Sequence, residues 1–193
     1  MDITPSQVSE LIRKRRSVFP KSYTGSPISR EIVEEVLENA NWAPTHKMTE
    51  PWRFKVMAGG GLERLSQFLS SYYKENTPPE KFSEIKFKKL KNNPLKASCI
   101  IAICMKRDEQ ERIPEWEELA AVGCAVQNMY LTCAAYDIGC YWSSTKAALQ
   151  ANDFLGLEEG ERCLGLFYMS YHNAPDIPRK RTPVAEKTAW ITG

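Results

Sequence analysis

Apolar residues recur along the chain with two distinct periods, and the switches between them mark out the elements. Val8, Leu11 and Ile12 fall on one face of an opening helix; Thr4 caps it, Pro5 suits its first position and Gln7 completes a capping box. A second helix, about Ser29 to Trp42, carries Ile28, Ile32, Val33, Val36, Leu37 and Ala40 at helical spacing and stops at Ala43-Pro44. Trp52 to Ala58 alternates large apolar with polar residues, the period of a strand, and Gly59-Gly60-Gly61 ends it. Leu62 to Asn76 returns to helical spacing, and Thr77-Pro78-Pro79 breaks it. Ala97 to Met105 is a continuous apolar run between Lys96 and Lys106, the pattern of a central buried strand, and Cys163 to Tyr171 reads as another strand.

Two segments depart from simple amphipathic patterning. Glu117 to Tyr136 predicts a long apolar helix with unusually small sides: Ala120, Ala121, Gly123, Cys124, Ala125, Ala134 and Ala135. Its length alone spans a bilayer, yet Gln127, Asn128 and Asp137 interrupt it and neither a second span nor a basic anchor supports it. A core helix, packed under a sheet or against a second subunit, fits better. Residues 81–96 hold six lysines and one acid, with Phe82, Ile85, Phe87 and Leu90 between them. The 77–96 stretch therefore reads as an insertion or lid with a solvated amphipathic face. Helices and apolar strands alternate along the chain, so the class is α/β or α+β with a sheet covered on both faces.

The 193 residues fit one domain, 1–193. A hydrophobic share of 42% and a charged share of 26% exclude a disordered or fibrous chain. A net charge of +2 argues against nucleic acid or an acidic membrane as the main partner. With only His46 and His172 and no paired cysteine motif, a zinc site is hard to build. The six cysteines lie mostly among apolar residues, and the chain opens without an apolar signal core, so they read as buried hydrophobes of a cytoplasmic protein. Neither the dinucleotide nor the P-loop glycine fingerprint occurs.

Candidate chemistry concentrates at two places. Arg15, Arg16 and Ser17, at the end of the first helix, offer two planar guanidinium forks and a hydroxyl to a phosphate; they equally suit a solvated basic helix end. Arg179-Lys180-Arg181 near the other end of the chain invites the same two readings. The second place is the loop Ala43-Pro44-Thr45-His46-Lys47 with Glu50-Pro51-Trp52-Arg53-Phe54, which can hold polar groups over a planar ligand. By itself His46 reads as a structural hydrogen-bonder, because no nucleophile is flagged beside it.

Taken in order, R-R-S after an amphipathic helix, W-A-P-T-H-K with E-P-W-R-F, and A-V-G-C-A-V-Q-N-M-Y-L-T-C-A-A-Y-D-I-G-C-Y-W resemble the FMN-dependent nitroreductase family, and its short members most. The resemblance spans about residues 8–171. It implies an α+β fold, a three-layer α/β/α sandwich with a central, mainly antiparallel mixed sheet, in a homodimer with flavin sites at the subunit interface. It implies non-covalent FMN with NAD(P)H as reductant, and ping-pong hydride transfer through flavin N5 to a nitroaromatic, quinone or similar small acceptor. Arg15, Arg16 and Ser17 would hold the FMN phosphate and ribityl chain. Trp42 and His46 occupy positions that touch the flavin, often from the partner subunit; Trp142, Ser143 and Ser144 match the segment over the isoalloxazine edge. Arg179 and Arg181 match a basic tail returning to the phosphate, and no catalytic side chain is expected because the flavin carries the chemistry. Phe19 stands where many members carry a cation near flavin N1, and Glu50 where glutamine is usual; both departures work toward a lower flavin potential. The alternatives are a non-catalytic FMN carrier and a reductase of enones or halogenated aromatics on the same fold.

Overall fold

The computed structural model describes residues 2–177 and 180–193. Helix α1 (Pro5–Lys14) is started by the expected capping box: the Thr4 hydroxyl accepts the Gln7 amide at 3.4 Å and the Gln7 side chain accepts the Thr4 amide at 2.9 Å. No residue of α1 is buried, so its apolar face (Val8, Ile12) stays uncovered in the single chain. Helix α2 (Arg30–Asn41) starts on Ser29, whose side chain accepts the Ile32 amide. Strand β1 (Trp52–Met57) leads to α3 (Gly60–Glu75) and α4 (Glu84–Asn92). Strand β2 (Cys99–Lys106), the long α5 (Glu115–Ala135) and β3 (Ile138–Ser143) follow, then the short α6 (Lys146–Leu149) and α7 (Asn152–Leu155), and finally β4 (Glu161–Tyr171).

The four strands form one sheet in the order β1-β2-β4-β3, every neighbour antiparallel. Among the described residues a parallel component enters only as the single bridge between Ser17 and Cys140, on the outer side of β3. The expected three layers are present. Cys99, Ile101, Ile103 and Met105 of β2 face a cluster with Val33, Val36 and Ala40 of α2 and Ala121, Val122, Ala125, Val126 and Met129 of α5. Ile100, Ala102 and Cys104 face the opposite cluster, with Leu62, Leu65 and Leu69 of α3, Leu90 of α4 and Ala147 and Ala148 of α6. Strand alternation thus distributes a fully apolar run to two helical layers.

A β-bulge interrupts this alternation between β2 and β4. Ile103 pairs with Gly165 and Cys104 with Cys163, so Leu164 is the extra residue and Cys163 is turned into the α3 layer. Gly165 sits at φ +133°, and a Cβ there would lie 2.6 Å from both the Ser143 carbonyl oxygen and Trp142 Nε1. The bulge therefore needs glycine, and it seats the end of β3.

Strand β3 is a departure from the sequence pattern, which assigns no element to Tyr141-Trp142-Ser143-Ser144 after the long helix. Gly139 explains how it forms: a Cβ there would meet His172 Cδ2 at 2.6 Å and Val18 Cγ1 at 2.9 Å, so only glycine admits the 17–18 segment alongside. The 77–96 stretch folds as α4 against α3, with Leu90 buried, Phe82 5.3 Å from Tyr73 between ring centres, and all six lysines outside. Among the described residues no helix is long and apolar enough to cross a membrane.

Candidate functional site

The C-terminus of α1 delivers its arginines to the sheet edge. The Arg15 amide closes the helix on the Leu11 carbonyl, 3.1 Å away, and the chain then runs extended. The Val18 amide donates to the Cys140 carbonyl at 2.9 Å, which pins Ser17 beside β3. Around this junction lies a cavity of about 650 Å³ lined by Ile12, Arg13, Arg15, Arg16, Ser17, Phe19, Gln127 and Arg181. Four guanidiniums and no carboxylate line it, an excess of positive charge suited to an anion. Arg16 also ion-pairs with Asp176, whose side chain is exposed.

Tyr130, on the face of α5 toward this junction, joins the cavity to its surroundings. Its ring lies 5.2 Å under the Arg15 guanidinium and edge-on to Phe167, centroids 4.9 Å apart. Its hydroxyl oxygen accepts the Trp142 amide at 2.8 Å and lies 3.5 Å from Ser17 Oγ. Burial pushes the phenol above its ordinary pKa, so it is a neutral hydrogen-bonding group. Trp142 Nε1 donates to the Leu164 carbonyl at 3.2 Å, so bulge and tryptophan fix one another. On the far side of Tyr130 opens a second cavity of about 500 Å³, lined by Leu119, Tyr130, Trp142, Ser144 and Leu164. A third, of about 300 Å³, lies between Arg16, Tyr130, His172 and Asp176.

Arg15, Arg16, Ser17 and Arg181 thus come together, and Trp142 and Ser144 join them through Tyr130, whereas Ser143 lines none of the three cavities and pairs with Leu166 at the end of β3. Trp42 and His46 do not, within one chain. Trp42 is 77% exposed and donates from Nε1 to Glu38. His46 lies in a tight turn, its Nδ1 2.5 Å from Glu117 Oε2 in the first turn of α5. Glu117 and Tyr130 are thirteen residues apart on α5, about 20 Å at the helical rise. Glu50 faces a groove with Glu34, Glu38 and Arg53 at the β1 edge, away from the arginines. Phe19 does line the arginine cavity, its ring 5.1 Å from Tyr141, and the further cation there is Arg181. The proposed role of Arg179 falls outside the described residues.

Sequence reasoning gave Tyr130 no role and took Gln127 only as an interruption of the apolar helix. The signal was present as two large polar-tipped side chains, three positions apart, on a helix rich in alanine, glycine and cysteine.

The nitroreductase family model matches residues 12–171. The chain belongs to the nitroreductase family. YdjA of Escherichia coli K12, provisionally named an NAD(P)H nitroreductase, is 30% identical over 164 residues, 83% of this chain and 85% of that protein. The crystal structure of a nitroreductase-like family protein from Bacillus cereus superposes with a TM-score of 0.81 at 27% identity, covering 100% of both chains. A Desulfovibrio desulfuricans nitroreductase structure, solved in complex with FMN, gives a TM-score of 0.72 at 24% identity over 100% of this chain and 99% of that one. The sheet order and the two helical layers described above are the nitroreductase fold as this sequence builds it.

Proposed function

We propose that this protein is an FMN-dependent NAD(P)H oxidoreductase of nitroreductase type, acting as a homodimer on a nitroaromatic, quinone or similar small acceptor. The observation that carries the reading is the carboxylate-free lining of four arginines, coupled through one tyrosine to a second cavity walled by Leu119, Trp142 and Leu164. The donor set fits FMN: guanidiniums and a serine hydroxyl suit the dianionic phosphate, the Gln127 amide suits ribityl hydroxyls, and Trp142, Leu164 and Leu119 suit a planar ring. Bound there, FMN supplies two-electron redox chemistry between a nicotinamide and the acceptor.

The chain's own residues anchor and shape. Arg15 is held over Tyr130, so its fork is oriented before a ligand arrives. Arg181 adds a fourth guanidinium toward the phosphate charge, and Phe19 contributes none. Trp142, fixed at both its amide and its indole nitrogen, excludes water from one side of the ring site. The homodimer supplies the rest. The outer face of α5 (Trp116, Leu119, Ala120, Gly123, Cys124, Gln127) is left uncovered by its own chain, and a Cβ on Gly123 would meet nothing. Two such faces pack closely about a two-fold axis through Gly123 and Cys124. That symmetry sets the Glu117–His46 end of one helix beside the Tyr130 end of the other, which reunites Trp42 and His46 with the arginine cavity.

The test is an absorbance spectrum of the purified protein, repeated anaerobically after NADPH and then NADH, with sedimentation to give the assembly state. A yellow dimer that bleaches with either nucleotide is expected. Bound flavin that neither nucleotide reduces would make the protein a carrier, and failure to take up added FMN would overturn the reading.

A further inference from the structure

The first turn of α5 carries three carboxylates, and two of them are taken by arginines. Glu118 is fully buried, 2.6 Å from Arg107 Nε, and accepts the Asp108 amide at 2.8 Å. Glu115 pairs with Arg162 and lies 3.6 Å from Arg107. Glu117 is left to His46, at 2.5 Å from Nδ1. The neighbouring cation, Lys47, donates to the Arg112 carbonyl at 3.1 Å rather than to Glu117. The turn that places the imidazole is held in an unusual conformation: Lys47 and Met48 sit at φ +50° and +53°, and Glu50 at +42°. Thr45 stabilises it, its hydroxyl accepting the Glu50 amide at 3.1 Å and lying 3.2 Å from the Thr49 hydroxyl. Strain of this kind persists where surrounding structure enforces it, commonly at functional sites. The imidazole itself is 57% exposed, with Nε2 free of any partner among the described residues.

We infer that His46 and Glu117 form a proton-donating dyad for the acceptor, His46 as the catalytic residue and Glu117 as its positioning residue. This rests on the dimeric flavoenzyme reading, because the two-fold symmetry about α5 carries the dyad to the ring cavity of the other subunit. Reduction of a quinone needs a hydride equivalent and a separate proton. Of these, bound FMN, reduced by NAD(P)H, would supply two electrons and one proton. The imidazolium Nε2–H bond breaks and a new O–H bond forms on the quinone oxygen, giving the hydroquinone. The imidazole keeps its Nδ1–H on Glu117 and regains the Nε2 proton from water. A carboxylate on Nδ1 fixes both the tautomer and the ring orientation that this transfer requires.

Two measurements test the inference. Nitrogen-15 spectra of the apo protein contain two imidazoles, and His46→Gln identifies the signal of His46. The neutral ring is expected with its proton on Nδ1 in the wild type, and mainly on Nε2 in Glu117→Gln. In the FMN-loaded dimer, anaerobic stopped flow separates reduction by NADPH from reoxidation by 1,4-naphthoquinone. His46→Gln is expected to slow reoxidation about 100-fold and leave reduction unchanged. Glu117→Gln slows the same phase to a lesser extent, and Glu117→Asp restores it. A wild-type His46 tautomer that Glu117→Gln leaves unaltered, reoxidation unaffected in His46→Gln, or both phases slowed together would each overturn the dyad. A wild-type protein that takes up no FMN, or that NADPH does not reduce, fails the functional reading instead, before either variant is compared.

Discussion

The two ends of α5 carry opposite charge arrangements. At the C-terminal half, Tyr130 and Gln127 border four arginines with no carboxylate among them. At the N-terminus, Arg107 and Arg162 are matched by Glu115 and Glu118, and the one carboxylate left over holds a histidine. Cations neutralised from within stabilise the fold; cations left without a counter-charge, or paired like Arg16 only with the exposed Asp176, are available to a ligand. The contrast locates binding better than a count of basic residues does, since the six lysines of residues 81–96 gather as densely and only decorate the outside of α4 and its flanking turns.

Breaking the neutralised end should have the largest effect. Arg107→Ala leaves Glu118 buried and unpaired, and a loss of about 3–5 kcal/mol is expected in urea unfolding, with FMN affinity unchanged in the folded fraction. The arginine-rich end should respond the other way round. Arg15→Ala is expected to weaken FMN binding by about 10- to 100-fold, from a loss of roughly 1.5–3 kcal/mol, while the unfolding midpoint hardly moves. Fluorescence titration with FMN and urea melts on the same samples measure both quantities. A drop in stability as large as that of Arg107→Ala would erase the distinction.

Tyr130→Phe sharpens it. The ring still supports Arg15, but the Trp142 amide loses its acceptor, so a cost of about 1–2 kcal/mol is expected in stability, with a smaller loss in FMN affinity than Arg15→Ala causes. A double-mutant cycle with Arg15 separates the two contributions. The smallest effect concerns Asp108, whose carboxyl is held at about 2 by hydrogen bonds from Arg112. Its pKa is depressed in the folded state, so its contribution is complete above the unfolded value near 4 and is lost as pH falls toward about 2. Unfolding midpoints at pH 5, 3 and 2 should therefore fall slightly less steeply in Asp108→Asn.

Much of this was legible in the chain. The long helix expected over Glu117 to Tyr136 runs Glu115–Ala135, and the apolar run flanked by Lys96 and Lys106 is the central strand β2. Both signals are local: periodicity for one, unbroken hydrophobicity for the other. Strand β3 was missed because Gly139 is a poor strand former and the strand exists only through what closes against it, Val18 and His172. The R-R-S motif was visible; that Tyr130, more than a hundred residues further on, would hold Arg15 is a tertiary fact. Trp42 and His46 matched family positions, but His46 lies against Glu117, about 20 Å along α5 from Tyr130, so one chain does not bring it to the arginines and that part of the pattern is completed only by the dimer proposed above.

The distribution of thiols offers a clock for local opening. Five of the six cysteines are buried and only Cys124 is exposed. Cys99, Cys133 and Cys140 belong to the α2–α5 layer, and Cys104 and Cys163 to the α3 layer. Labelling under native conditions, followed by digestion and mass mapping, would time the breathing of the two layers independently, because each buried sulfur reacts only when its own layer parts. Cys124 would keep time for the assembly: rapid modification in dilute solution, slow modification once concentration drives two copies together.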